Sequence, residues 1–192
     1  MNKIIEPQIN VEIESGKLTG SKVISVSKKL GELANIFRNE KARSKMNQDE
    51  VIYEVQAHFP VEQGTPSSLF FGTTIIYPGK VGDEYFMTKG HFHDKSDRGE
   101  YYWGIEGEGL LLLMDKDRKT WAEKMSKNSL HYIPGYVAHR TINTGQGKLI
   151  FGACWPSDAG HNYDEIIKKG FSARIVEIDG EPVLVSETEI SQ

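Results

Sequence analysis

The sequence predicts a mainly β protein, a single-domain jelly-roll barrel of antiparallel strands with an N-terminal strand arm and one amphipathic helix. Two observations support the barrel. Short segments rich in β-branched and aromatic residues recur between Val51 and Trp155, and turn-forming pairs such as Pro78-Gly79 and Pro134-Gly135 separate them. Short strands with turn chemistry between them are typical of antiparallel sandwiches and barrels.

The N-terminal part of the chain predicts the arm and the helix. Residues 1–27 are of mixed polarity and predict short strands. Between Lys28 and Lys45 a helical spacing relates four apolar side chains, Leu30, Leu33, Ile36 and Phe37. Ser27 is placed to cap that helix. We assign the arm and helix to residues 1–50 and the barrel to residues 51–192, as one domain overall.

The barrel strands follow in order. Apolar and polar residues alternate strictly from Val51 to Phe59, as in a half-buried strand. The remaining predicted strands cover residues 69–77, 84–89, 101–106, 110–114, 120–125, 130–133, 139–143 and 148–155. Residues 163–169 predict a short helix after the barrel. Asp179-Gly180 predicts the turn of a hairpin that joins residues 173–178 to residues 183–186.

Composition limits the class of partner and the location. The formal net charge of the 192 residues is -4, which argues against binding nucleic acid by neutralising phosphates. Cys154 is the single cysteine, so an intramolecular disulfide is excluded. We find neither the apolar stretch of about eighteen residues that crosses a membrane nor a signal peptide in M-N-K-I-I-E-P. These features predict a cytoplasmic protein with a small-molecule partner and no nucleic-acid or membrane partner.

Two clusters of metal-ligating residues stand out. His91, His93 and Glu100 lie in H-F-H-D-K-S-D-R-G-E, and His139 lies in P-G-Y-V-A-H-R-T-I-N. Side chains two residues apart on a strand point the same way, so His91 and His93 converge. The polar run 94–99 turns the chain back, and a hairpin brings Glu100 beside the two rings. Three imidazoles and one carboxylate predict a site for iron, manganese, nickel or zinc with positions open for substrate. The alternative is a set of polar residues on the surface of a hairpin.

The two clusters resemble the two motifs of the cupin superfamily, whose barrel is a double-stranded β-helix. The long form T-K-G-H-F-H-x-K-x-D-R-x-E is similar to one branch, the cupin-type glucose-6-phosphate isomerases of archaea and some bacteria. The resemblance includes T-T-I-I-Y-P-G-K-V-G from Thr73 and D-A-G-H-N-Y from Asp158, and spans roughly residues 50–170. The chain departs from the general motifs at Tyr85, where a glycine is usual, and at Gly135, which directly follows its proline.

This resemblance implies reversible conversion of glucose 6-phosphate to fructose 6-phosphate, in glycolysis or gluconeogenesis, by a homodimer. It implies one divalent metal ion per subunit, iron first among the four metals, bound by His91, His93, Glu100 and His139. The reaction moves hydrogen between C1 and C2, and a metal with open positions can polarise the carbonyl and stabilise an enediolate. Glu100 is the family's candidate for the proton shuttle. A carboxylate held firmly by a cation is a poor base, so a direct hydride shift stays open.

The resemblance also implies the remaining site residues. Tyr102 and His161 join Glu100 as catalytic residues, and the sugar phosphate pocket is lined by Thr74, Thr88, Lys89, Gly90, Tyr136 and Tyr163. Trp155 stands where relatives often carry a tyrosine. His58 and His131 are expected to be structural or exposed, and the pair of Asp97 and Arg98 is expected to brace the ligand hairpin.

Three other functions remain open. The enzyme could act on another sugar phosphate such as mannose 6-phosphate, because fold and motif define chemistry better than substrate. The same ligands could present iron to dioxygen in a non-haem metal dioxygenase. A regulatory module that senses a sugar through a structural metal is the third alternative, although no DNA-binding helix-turn-helix is evident in the sequence.

Overall fold

The computed structural model describes residues 2–187, so the predicted barrel range 51–192 extends beyond the described residues. Within that part, strands dominate and the two α-helices are short, which confirms the mainly β expectation. The strands are β1 (Ile9–Glu12), β2 (Lys17–Gly20), β3 (Val23–Lys29), β4 (Val51–His58), β5 (Leu69–Ile76), β6 (Lys80–Val81), β7 (Glu84–Tyr85), β8 (Glu100–Glu106), β9 (Glu108–Asp115), β10 (Thr120–Ser126), β11 (Leu130–Ile133), β12 (Val137–Asn143), β13 (Leu149–Pro156), β14 (Ala173–Ile178) and β15 (Glu181–Ser186). The helices are α1 (Glu40–Lys45) and α2 (Asp164–Lys169).

Two antiparallel sheets form the barrel. The larger sheet has the order β11-β8-β13-β5-β4-β3, and the smaller has the order β10-β9-β12. Ile76 and Phe151 of the larger sheet share one buried core with Leu111, Leu113 and Ile142 of the smaller sheet. Burial of one face of each sheet against the other is the arrangement that alternating strands require. The jelly-roll expectation is confirmed.

A further sheet of order β15-β14-β7-β6 flanks the barrel, and β1 pairs with β2. The predicted hairpin is confirmed, because Ile178 pairs with Glu181 across a two-residue turn. Both turn residues, Asp179 and Gly180, have positive φ angles, of 54° and 84°. That conformation matches the twist of the flanking strands. The predicted short helix is also present as α2.

The predicted helix from Lys28 to Lys45 is wrong. β3 runs through its first residues, a 3-10 turn covers Leu30–Leu33, and α1 begins only at Glu40. The N-cap of α1 is Asn39, whose side chain accepts a hydrogen bond from the Ala42 amide, whereas the predicted cap Ser27 lies within β3.

Tertiary hydrogen bonds explain why the helix does not form. The backbone amides of Leu30 and Gly31 donate to the carbonyls of Glu50 and Gln48, at 2.9 and 3.0 Å, and the second bond replaces the one that Gly31 would make to Ser27 in a helix. Asn35 adopts a left-handed conformation with φ of 64°, which interrupts any helix. The four apolar residues of the helical pattern are nevertheless buried, Leu30, Leu33, Ile36 and Phe37. Their spacing therefore predicted their burial correctly and their secondary structure incorrectly.

Two predictions around the first ligand cluster are corrected. The strand predicted over residues 84–89 is limited to β7, and Met87 forms only an isolated bridge with Ile142. The segment containing His91 and His93 is not the hairpin partner of β8, because β8 pairs with β11 and β13.

Part of the predicted arm contributes directly to the barrel. β3 pairs with β4 from Val23 to Lys29 and forms one edge of the larger sheet. The division of the chain at residue 50 stays a prediction. No helix between residues 2 and 187 combines the length and the apolar character needed to span a bilayer.

We expect Leu33→Ala to lower the free energy of unfolding by about 2–5 kcal/mol, because a fully buried leucine leaves a cavity when truncated. Leu69→Ala is the matched control, since Leu69 is 59% exposed, and it should change stability by less than about 0.5 kcal/mol. Urea unfolding followed by circular dichroism measures both variants. Equal losses for the two would contradict the burial of the segment after β3.

Candidate metal centre

The backbone brings the two ligand clusters together. The amide of His91 donates to the carbonyl of His139 at 3.2 Å, and the amide of His139 donates back at 3.1 Å. His139 lies in the middle of β12, all seven residues of which are buried. The extended chain directs His93 to the same side as His91, with ring centroids 5.6 Å apart. Glu100 enters from the first position of β8.

Four side-chain atoms converge at this point. One ligand atom each from His91, His93, Glu100 and His139 lies within 4.8 Å of all the others. Oε1 of Glu100 lies 2.6 Å from Nε2 of His139 and 3.3 Å from Nε2 of His93.

The same atoms lack partners. Nε2 of each of the three histidines and Oε1 of Glu100 are buried without a hydrogen bond of acceptable geometry. Unpaired buried polar atoms are costly and rare in proteins. Four of them aimed at one point fit a divalent cation, and imidazoles with one carboxylate form a suitable ligand set. The cluster can therefore hold a metal ion.

Electrostatics favour the ligand-competent forms of His91 and Glu100, whereas His93 is shifted the other way by its contact with Glu100. Burial, reinforced by three neighbouring imidazoles, lowers the pKa of His91 well below its ordinary value, so its ring is neutral. Burial disfavours the charged form of Glu100, but the close approach of His139 and then of His93 outweighs it and lowers the pKa of the carboxyl to about 2. Burial also opposes protonation of His93, yet contact with Glu100 raises the pKa of its ring.

A hydrogen bond orients His93. Its Nδ1 lies 2.8 Å from the carbonyl oxygen of Arg98, to which it donates. That bond leaves the Nε2 lone pair directed at the cluster, as is usual for metal-binding histidines.

The side chain of Arg98 fastens two loops together. It binds both carboxylate oxygens of Asp158, at 3.0 and 2.9 Å, in addition to the expected pair with Asp97 at 2.8 Å. Lys95 adds an ion pair with Asp158 at 2.8 Å. Because Asp158 lies three residues before His161, these contacts hold the ligand turn and the His161 loop in one arrangement.

A cavity of about 340 Å³ lies against the cluster, within the usual size range of small-molecule sites. Its lining includes ten residues from the expected site, namely Thr74, Thr88, Lys89, Gly90, His91, Glu100, Tyr102, His139, His161 and Tyr163. His93 is 6% exposed and is not among the residues that line the cavity.

Tyr136 is the exception among the expected pocket residues. Its side chain is 55% exposed and lines a separate shallow depression with Asp115, Lys116 and Asp117. The turn before β12 explains this position, because Tyr136 adopts a left-handed conformation with φ of 65° and its amide bonds the carbonyl of Ser96. The expectation that Tyr136 lines the sugar phosphate pocket is wrong for this structure.

Sequence reasoning missed one wall of the cavity. The inward faces of β3 and β4 contribute Ile24, Val26, Lys28, Tyr53, Val55 and Ala57. The alternation of apolar and polar residues from Val51 to Phe59 could have identified the residues that β4 contributes to this wall. The contribution of β3 was hidden, because Lys28 was assigned to a helix.

Gly90 allows the backbone to pack closely against its neighbours at the edge of the cavity. Its φ is +76°, and an added Cβ would meet Phe171, Arg140 and the carbonyl of His139 at 3.0 to 3.1 Å. A side chain here would be strained and would require Phe171, Arg140 or the backbone of His139 to shift.

The two remaining histidines are structural. Nδ1 of His58 lies 3.0 Å from the carbonyl of Ser21, and Nδ1 of His131 lies 2.7 Å from the carboxylate of Glu123. Both rings are buried and lie outside the ligand cluster.

Comparison with known proteins establishes the family. The sequence model described as "Glucose-6-phosphate isomerase (GPI)" matches residues 27–190. The chain belongs to the glucose-6-phosphate isomerase family. The glucose-6-phosphate isomerase of Thermococcus kodakarensis is 42% identical over 179 residues, covering 92% of each chain. That of Sinorhizobium medicae is 39% identical over 186 residues, covering 94% of this chain and 85% of the relative. The expected family and the expectation of an enzyme are confirmed.

A solved structure gives a weaker similarity. Oxalate decarboxylase from Bacillus subtilis aligns with 57% of this chain and 26% of its own, at a TM-score of 0.44 and 16% identity.

We expect one Co²⁺ to bind per chain with a visible absorption spectrum, because four ligand atoms converge on one point. His93→Ala should weaken binding by more than about a hundredfold, since even residues that only orient ligands contribute 10- to 100-fold. His161→Ala is the control, because that ring lies 4.5 Å from His91 but outside the ligand set. Equal affinities of wild type and His93→Ala would contradict the site.

Proposed function

We propose that this protein interconverts glucose 6-phosphate and fructose 6-phosphate with a divalent metal held by His91, His93, Glu100 and His139. The observation that supports it best is the set of four buried, unpaired ligand atoms beside a cavity of sugar-phosphate size. Membership of the glucose-6-phosphate isomerase family supports the substrate. Iron is the metal we place first, before manganese, nickel and zinc.

The reaction moves hydrogen between C1 and C2 of the sugar. A bound divalent ion supplies Lewis-acid polarisation of the carbonyl and stabilises negative charge on the neighbouring oxygen. The cluster lies against the cavity, which His91, Glu100 and His139 all line. The reacting end of the sugar therefore binds at this side.

Glu100 is the proposed proton shuttle. Its low pKa keeps the carboxylate ionised and able to accept a proton. Tyr102 follows Glu100 by two residues on β8, and burial followed by the Glu100 charge raises the pKa of the phenol well above its ordinary value. Tyr102 thus remains protonated and can donate a hydrogen bond to a neighbouring oxygen. The same low pKa makes Glu100 a weak base, so a direct hydride shift is the competing route.

His161 completes the catalytic end. Burial lowers the pKa of its ring, so the ring is neutral and can exchange hydrogen bonds with substrate oxygens. It stacks on Tyr163 with an interplanar angle of 9°. This contact fixes the ring in the cavity wall.

The phosphate is assigned to hydroxyls, backbone and one cation. Thr74, Thr88, Lys89 and Gly90 all line the cavity. The ammonium of Lys89 lies 4.6 Å from the Tyr163 ring centroid, an attractive cation–π distance. Trp155 offers only an N–H at the position where relatives often have a hydroxyl.

A homodimer and a cytoplasmic location stay predictions. The edges of the larger sheet are β3 and β11, and exposed edge strands are commonly covered by a second subunit. Sedimentation velocity would measure the mass directly.

We expect isomerase activity to disappear after chelation and to return with Fe²⁺ or Mn²⁺. Glu100→Gln should lower kcat by about 10²–10⁴-fold, the usual range for an acid-base group. Glu106→Gln is the matched control, because Glu106 lies on the same strand but pairs at the surface with Lys127. A coupled assay with fructose 6-phosphate, and mannose 6-phosphate beside it, measures both. Full activity of the metal-free protein would contradict the proposal.

We expect solvent deuterium to enter the product, because a proton held by a carboxylate exchanges with water. Conversion in D₂O followed by proton NMR at C1 and C2 measures this. Complete retention of the substrate hydrogen would exclude Glu100 as the shuttle and assign the reaction to a hydride shift.

A further inference from the structure

Lys28 occupies a place in the cavity that the proposed reaction has not used. It lies on β3 with Ile24 and Val26, and these three alternate residues line the cavity. Lys28 and Lys89 are the lysines among the lining residues. The side chain of Lys28 is 38% exposed, so its ammonium is near solvent at the rim.

The position of Lys28 matches the end of the substrate that carries phosphate. β8 carries Glu100 and Tyr102, whereas β3 is the edge strand beyond β13, β5 and β4 in the same sheet. The phosphate on C6 is remote from the reacting C1 and C2. Three strands separate β3 from β8 in this sheet, so the ammonium of Lys28 is placed for the phosphate end of the substrate rather than for C1 and C2.

Contacts connect Lys28 to the proposed phosphate pocket. Lys28 is the cross-strand partner of Tyr53. Tyr53 and Lys89 both line the cavity. Lys28 thus lies beside a residue that lines the same cavity as the Thr88-Lys89-Gly90 segment.

The ammonium of Lys28 is held by a weak surface partner. Its Nζ lies 3.0 Å from Oε1 of Glu32, whose side chain is 47% exposed. Exposed pairs of this kind contribute little to stability. Oε2 of the same carboxylate accepts from the Lys29 amide at 3.0 Å, a contact that does not depend on Lys28.

We propose that Lys28 binds the substrate phosphate, exchanging its ion pair with Glu32 for one with the dianion. The inference rests on the proposed function and adds a specificity residue to it. A phosphate offers two charges and three acceptor oxygens, so it outcompetes a single exposed carboxylate. Glu32 holds the ammonium at the rim between turnovers.

The chain provides a matched control in Lys29. It is the next residue, it is also exposed, and its ammonium pairs with Asp49 at 2.8 Å. Lys29 is not among the residues lining the cavity. Replacing either lysine by methionine removes one positive charge and one surface ion pair, so only the position relative to the cavity differs.

The test compares KM and kcat for fructose 6-phosphate in three variants. We expect Lys28→Met to raise KM about tenfold with kcat within about twofold, the signature of lost ground-state binding. Lys29→Met should leave KM within about twofold, since a single exposed charge outside the pocket is screened by salt. Lys28→Arg should restore most of the affinity. An unchanged KM in Lys28→Met would overturn the inference.

Glu32→Gln tests the exchange. Glutamine keeps an oxygen for the Lys29 amide but releases Lys28, so KM should fall about twofold to threefold, as expected for an exposed ion pair. In the Lys28→Met background the same change should have no effect. An equal fall in KM in both backgrounds would contradict the exchange, because Glu32 would then act only by repelling the negative charge of the phosphate.

Calorimetry with inorganic phosphate separates this inference from the isomerase proposal. The inference stands, even when no isomerisation is detected, if wild-type protein binds phosphate and Lys28→Met binds it about tenfold more weakly. Lys29→Met should then keep the wild-type affinity for phosphate. If wild type and Lys28→Met bind phosphate equally while wild type isomerises, the inference fails and the proposed function stands.

Discussion

The reciprocal backbone hydrogen bonds between His91 and His139 are the constraint on which the site depends. They join the chain before β8 to the centre of β12, and so bring two sequence-distant clusters together without using a side chain. His93 and Glu100 lie close to His91 in the sequence, so local turns of the backbone bring their side chains to the same point. The left-handed Gly90 belongs to the same constraint, since a Cβ there would meet the carbonyl of His139.

The surrounding contacts keep the cluster rigid. The carbonyl of Arg98 orients one ligand ring, and its guanidinium holds Asp158. The amide and carbonyl of Phe92 exchange hydrogen bonds with Asn162. Arg98 of the ligand turn therefore orients the metal-binding ring of His93 and also holds the loop that carries His161. Such orientation by neighbouring groups is usual for catalytic metal sites, whose geometry tolerates little displacement.

The cavity is chemically asymmetric. One end presents imidazoles, a carboxylate and phenols, whereas the opposite wall of β3 and β4 presents mainly alkyl groups. Phe59, Phe70 and Trp155 pack edge to face, with centroids 4.6 to 6.5 Å apart. Aromatic packing of this type makes a firm wall. The proposed substrate therefore meets polar groups at the metal end of the cavity and mainly apolar groups along β3 and β4.

The sequence by itself determined the β architecture, the terminal hairpin and the metal ligand candidates, because these depend on local rules: alternation, turn residues and the two-residue spacing of His91 and His93. Helical spacing from Leu30 to Phe37 identified buried residues but the wrong element, since the first amides of that segment donate to the carbonyls of Glu50 and Gln48. Only the tertiary structure decided that Tyr136 faces solvent and that Lys28 faces the cavity. Lys28 faces the cavity because β3 pairs with β4, and Tyr136 faces solvent because its left-handed turn bonds the carbonyl of Ser96. Long-range contacts of this kind leave no periodic mark in a single sequence.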